Sequence, residues 1–177
     1  MISLNNENSI ILTSEWNNDN AGGSHITHDD FFKKKSRDEE REKKKLTWFD
    51  NPKFELIFHS KEKIELLEFD VYLSRSETIW SNEVAKSIIN SMMGLYIFRR
   101  DLNVSGVTNE NCLNKDEIEF APKTEIVSRL RYTNVHPEGF ILMPTTYNAG
   151  IKGPFTIMVN CNEKFTIRPL ELKNSKK

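Results

Sequence analysis

Apolar and polar residues alternate with a period of two over much of the chain from residue 48 onward, the spacing of strands that bury one face. Phe54, Leu56 and Phe58 alternate with Lys53, Glu55 and Ile57, and Leu67, Phe69, Val71 and Leu73 with Glu68, Asp70 and Tyr72. Ile126, Ser128, Leu130 and Tyr132 alternate with Glu125, Val127, Arg129 and Arg131, and Phe155, Ile157 and Val159 with Thr156, Met158 and Asn160. Gly94 to Phe98 (GLYIF) is apolar at every position, which predicts a central strand covered on both faces. Phe140 to Met143 is an apolar strand ended by Pro144. Ser9 to Thr13 predicts a short strand, and Phe165-Thr166-Ile167 one that pairs back after the turn at 160–163. Ser81 to Met92, with Val84/Ile88 and Ala85/Ile89 at i,i+4 behind a Ser81 cap, is the one helix expected. Seven or eight short strands with almost no helix predict an all-β fold, an antiparallel β-sandwich of about eight strands.

Other stretches lack a period. Residues 1–8 are Asn-rich and read as a disordered N-terminus, and 173–177 as a disordered tail. Residues 17–24 carry turn chemistry. Between them and the strands, residues 29–45 (DDFFKKKSRDEEREKKK) hold eight basic and six acidic residues, with only Phe31 and Phe32 apolar. Such a segment has no face to bury. It is expected to be a solvated insertion in a single domain spanning 9–172. Its clusters Lys33, Lys34, Lys35 and Lys43, Lys44, Lys45 are candidate contacts for an anionic partner.

The chain has 177 residues, enough for one domain with a core of its own. Its 25 basic and 26 acidic residues leave a net charge of −1. That balance provides no global basic field for nucleic acid. Two cysteines, Cys112 and Cys161, make no disulfide framework, and the N-terminus lacks a basic segment followed by an apolar one. A cytoplasmic protein is expected.

The sequence carries little chemistry. A nucleophilic cysteine needs a base in reach and a cation or helix N-terminus to lower its pKa. Cys112 lies in a polar loop and Cys161 closes a strand, so neither is expected to be catalytic. His25 and His28 stand beside Asp29 and Asp30, but the second half of a zinc site is missing. Calcium would need six to eight oxygens. Asp19, Asp29, Asp30, Asp70 and Asp116 are scattered, so no metal or other cofactor is expected, calcium being the one candidate left. Gly22-Gly23 is followed by no Lys-Ser/Thr and is not a phosphate loop. No small-molecule substrate is implied.

Four segments, in order, resemble the β-sandwich that follows the protease core in calpains and calpain-like proteases. Trp16 followed by Asn20-Ala21-Gly22-Gly23 resembles that family's Trp…Asn/Thr-Ala-Gly-Gly entry. Asn51-Pro52-Lys53-Phe54-Glu55-Leu56 is similar to its Asn-Pro-Gln-Phe first strand, and Met93-Gly94-Leu95-Tyr96-Ile97-Phe98 to its Ile-Gly-Phe-x-Ile-Tyr strand. Pro137-Glu138-Gly139-Phe140-Ile141-Leu142-Met143-Pro144-Thr145-Thr146-Tyr147, then Gly153-Pro154-Phe155-Thr156-Ile157-Met158-Val159, resembles Pro-Gly-x-Tyr-x-x-x-Pro-Ser-Thr-Phe and Gly-x-Phe-x-Leu-x-Val. Three departures stand out. Residues 29–45 are inserted, Gly139 stands one place late, and the short mixed Ser60-Lys61-Glu62-Lys63 replaces the acidic run some calpains carry.

The resemblance implies a C2-like sandwich with no catalytic residues of its own, a regulatory or structural domain packed against the catalytic core of the same intracellular protease. Its expected contact residues are Trp16, Gly22 and Gly23 of the entry segment, with His136 and Tyr147 at strand ends. The alternative is a free C2-like module that binds a phospholipid membrane or protein partners.

Overall fold

The alternating segments form eight strands in a computed structural model that describes residues 8–26, 46–76, 92–100, 106–135 and 138–170. The strands are β1 (Asn8–Trp16), β2 (Phe54–Phe58), β3 (Ile64–Ser74), β4 (Met93–Arg99), β5 (Glu125–Val135), β6 (Phe140–Thr146), β7 (Gly153–Cys161) and β8 (Phe165–Pro169). One turn of 3-10 helix, Trp48–Asp50, precedes β2. The expected helix from Ser81 falls outside the described residues except for Met92, as do the inserted residues 29–45.

Two antiparallel four-stranded sheets pack as a sandwich, sheet A in the order β1-β7-β3-β5 and sheet B in the order β4-β6-β2-β8. Among the described residues, each strand is followed in sequence by one in the opposite sheet, so successive described strands cross the sandwich and none of them pair as a hairpin. This is a jelly-roll type of order. The inward residues are those the period of two selects: Phe54, Leu56 and Phe58 from β2; Leu67, Phe69, Val71 and Leu73 from β3; Phe155, Ile157 and Val159 from β7. Phe140 links the layers, its ring 5.1 Å from Phe69 and 5.2 Å from Tyr132 across the core.

The structure corrects four local expectations. β1 runs nine residues and carries Trp16 into the core. The segment after β7 does not fold back on it; Phe165–Pro169 pairs with β2 in the other sheet. Pro144 does not end its strand but pairs with Leu95 inside β6. Backbone N and O of a strand residue point the same way, and the Pro144 carbonyl accepts from Trp16 Nε1 at 3.1 Å. The missing N–H therefore lies on the side away from β4, where the β2 pairing has already stopped at Leu142.

The fourth correction concerns GLYIF, which is buried on both faces but ends its sheet rather than occupying the centre. Its outward side chains, Tyr96 and Phe98, are covered by Trp48 and by Val107, Cys112, Ile118 and Phe120 from the long connection to β5. The same connection touches the free edge of β4 through bridges at Met93–Ala121 and Phe98–Cys112, which blunts an edge that would otherwise be open to pairing.

Candidate functional site

The segments that carry the resemblance meet at one end of the sandwich. β1 delivers Trp16, whose ring lies 4.3 Å from Phe155. The chain then turns on its own amides: Asn17 N–H donates to Asn20 Oδ1 at 2.6 Å, and Asn20 Nδ2 returns to the Glu15 carbonyl at 3.2 Å. Residues 21–24 are buried. They are bound to two other segments by backbone and amide hydrogen bonds. Gly150 N–H donates to Ala21 O at 2.8 Å, and Ser24 N–H to Tyr147 O at 3.0 Å. Buried Asn51 donates through Nδ2 to the carbonyls of Gly23 (2.8 Å) and Trp48 (2.7 Å). The latter contact makes Asn51 the stop of the 3-10 turn and the anchor of the entry segment at once.

Two glycines allow this closeness. A Cβ on Gly22 would lie 2.0 Å from the Thr47 carbonyl oxygen, and Gly23 combines φ of +72° with backbone of Ala149 2.4 Å from any Cβ. Side chains are excluded from both positions by backbone, which cannot swing away.

An aromatic layer on the outside of sheet B adjoins this end. Trp48 packs on Phe49 (4.1 Å), Tyr96 (4.8 Å) and Phe98 (6.0 Å), with Lys115 Nζ 5.6 Å from its ring. The Tyr96 hydroxyl accepts from His25 N–H at 3.1 Å and lies 2.6 Å from His25 Nδ1. Lys53 reaches back to the carbonyls of Phe49 and Asn51, and burial pulls its pKa down while Asp50 pulls it up.

Of the expected contact residues, Trp16, Gly22 and Gly23 are interior: the indole is in the core and the glycines are wedged between backbones. Any partner at this end would meet their neighbours rather than their own surfaces. Tyr147 is half-buried, its ring 5.3 Å from Phe120. His136 and the six lysines Lys33, Lys34, Lys35, Lys43, Lys44 and Lys45 lie outside the described residues, as do His28, Asp29 and Asp30. Asn51 and Tyr96 were visible in the sequence only as parts of motifs. That Asn51 is buried and polar, and that Tyr96 points out of the sheet into a second apolar layer, could not be read there.

Both thiols are shifted toward their protonated form. Burial raises the Cys112 pKa and pushes Cys161 up to about 11, so both are protonated at neutral pH. Among the described residues, no group of three or more His, Cys, Asp or Glu side chains is placed to hold a metal ion. No helix among them is long and apolar enough to cross a membrane.

No family model matches the sequence, and no curated protein matches it. Among solved structures, one with similarity is the CBM22-1 xylan-binding domain of Paenibacillus barcinonensis Xyn10C. The match has 18% identity and a TM-score of 0.29, covering 63% of this chain and 59% of that domain.

Proposed function

We propose that this chain is a non-catalytic regulatory or structural domain of a calpain-like cysteine protease, and that it packs against the catalytic core of the same protein. One observation carries the reading. The residues that resemble the family's motifs, spread from Trp16 to Phe155, act on one another: Trp16 on Pro144 and Phe155, Asn51 on Gly23. Each also has a physical requirement at its position: a donor at Trp16, no side chain at Gly22, an amide at Asn51.

The shift of both cysteines toward the protonated form favours action through contact rather than chemistry. The entry segment's neighbours and the strand ends near Tyr147 are the surface this reading assigns to the core.

The test is the reading frame of the transcript that encodes this chain. A cysteine-protease core upstream in the same frame is the expected result. Its isolated expression should then give lower stability or altered activity than expression with the sandwich attached. A transcript without such a core would refute the proposal, as would a protease unaffected by deleting the sandwich.

A further inference from the structure

The outward face of sheet A is organised into rows that cross all four strands. Ile11 pairs with Met158, Met158 with Tyr72, and Tyr72 with Val127, one residue from each strand in register. All four point away from the core. Ile11 is 63% exposed and Val127 40%, two of the three large apolar side chains most exposed among the described residues, and Met158 and Tyr72 between them are half-buried. Single exposed apolar residues are ordinary, but a contiguous row marks a contact surface.

Polar rows flank it on both sides. Thr13, Thr156, Ser74 and Glu125 form one; Ser9, Asn160, Asp70 and Arg129 form the other. Beyond the second lies the Glu68–Arg131 pair at 3.2 Å. Four carboxylates, Glu15, Glu68, Asp70 and Glu125, share this face with the guanidinium groups of Arg129 and Arg131, a balance that disfavours an anionic lipid surface.

We propose that this face pairs with the same face of a second copy of the chain, about a two-fold axis lying along the apolar row. The argument is self-complementarity. Rotation about that axis lays the apolar row on itself and turns one polar row onto the other. Glu125 then faces Arg129 of the second copy, twice, and Ser74 faces Asp70. Rotation about the strand direction would instead set Glu125 over Thr13 and Arg129 over Ser9, leaving both charges unmatched. Charge therefore selects the first arrangement. Arg129 is free to reach across: its side chain is 76% exposed, and its 3.7 Å contact with Asp70 is loose.

The pair is weak by size. Four strands about 4.8 Å apart and the nine residues of β7 at about 3.4 Å each give roughly 600 Å² per copy. A standard stable interface takes about 800 Å² from each partner. Association is accordingly expected to be weak and reversible. This inference does not rest on the protease reading above.

The experiment is sedimentation equilibrium of the whole chain from roughly 10 μM to 1 mM, on a scale set by that weak affinity. The native chain should dimerise reversibly. Tyr72→Glu, which buries a charge in the row, should abolish dimers. Glu125→Arg and Arg129→Glu should each weaken association about tenfold, and the two together should restore it. Thermal melting of each variant separates lost association from lost folding, and the outward-facing, half-buried Tyr72→Glu change keeps the test decisive if a charge variant melts early. A chain that stays monomeric throughout would overturn the proposal and leave the row to a different partner. Dimers indifferent to Tyr72→Glu, or a double swap that fails to restore them, would overturn it equally.

Discussion

Sheets A and B bury the same kind of residue inward and differ in what lies outside them. On β4 and β6 of sheet B the outward side chains Tyr96, Phe98, Ile141 and Met143 are as buried as the core, because Trp48 and the connection from β4 to β5 lie over them. On sheet A the outward side chains alternate cleanly with the inward ones and meet solvent, from Ile11 on β1 to Val127 on β5. The β4–β6 half of sheet B is therefore an interior layer, while its β2–β8 half, with Thr166 and Arg168 exposed, and the whole of sheet A are walls. The difference explains why the sandwich can have a fixed end, built from buried turns and an aromatic layer, and still offer an open face. It also locates the two functional readings: the fixed end carries the likeness to calpain-type domains, and the open face carries the self-pairing.

The largest effect should come from matched outward aromatics. Phe98→Ala on sheet B should lower stability by about 3–5 kcal/mol, as for a core phenylalanine. Tyr72→Ala on sheet A should change it by no more than about 1 kcal/mol. Urea unfolding of the two variants checks this, and similar losses would mean the sheets are covered alike.

The fixed end should be the next most sensitive. Gly22→Ala forces a Cβ against the Thr47 carbonyl oxygen and should destabilise by roughly 2–3 kcal/mol. Trp16→Phe keeps the packing on Phe155 and deletes the donor to Pro144, leaving a buried carbonyl unpaired at a cost of about 1–3 kcal/mol. If Gly22→Ala is neutral in thermal melting, the close approach of the entry segment to residue 47 is wrong.

A smaller effect is pH-dependent. The Cys161 thiol is raised from an ordinary value of 9.0 to about 11 by burial. Its protonated form is the one the fold holds, so its contribution is fully present below pH 9 and is lost as pH rises toward 11. The native chain should lose more stability across that window than Cys161→Val. Parallel denaturation midpoints for the two would show that the thiol is not held in the interior.

Much of this was legible beforehand, and where it was not the reason is physical. A period of two names inward residues whatever their partners, so Phe54, Leu67, Phe69 and Phe155 were placed correctly. It says nothing about which strand sits beside which. That is why β8 was expected on β7 rather than β2. Continuous apolarity in GLYIF and FILM does signal two covered faces. A central position was inferred because neighbouring strands are the usual cover, whereas here a long connection and Trp48 supply it. The entry segment reads as a motif and is expected to be a contact surface, because loops at one end of a sandwich usually carry recognition. Its burial depends on Asn51 and Tyr147, residues 28 and more positions away, which no local pattern connects.

Two methionines test the contrast between the sheets most directly. Met143 points outward from β6, buried beneath the aromatic layer, and Met158 points outward from β7, half-buried on the uncovered face of sheet A. Mild peroxide oxidation of the folded chain, followed by peptide mass spectrometry, should convert Met158 to the sulfoxide while Met143 stays intact until the chain is unfolded. Oxidation of Met143 at the same rate as Met158 would contradict the account, because it would mean that sheet B has no outer cover.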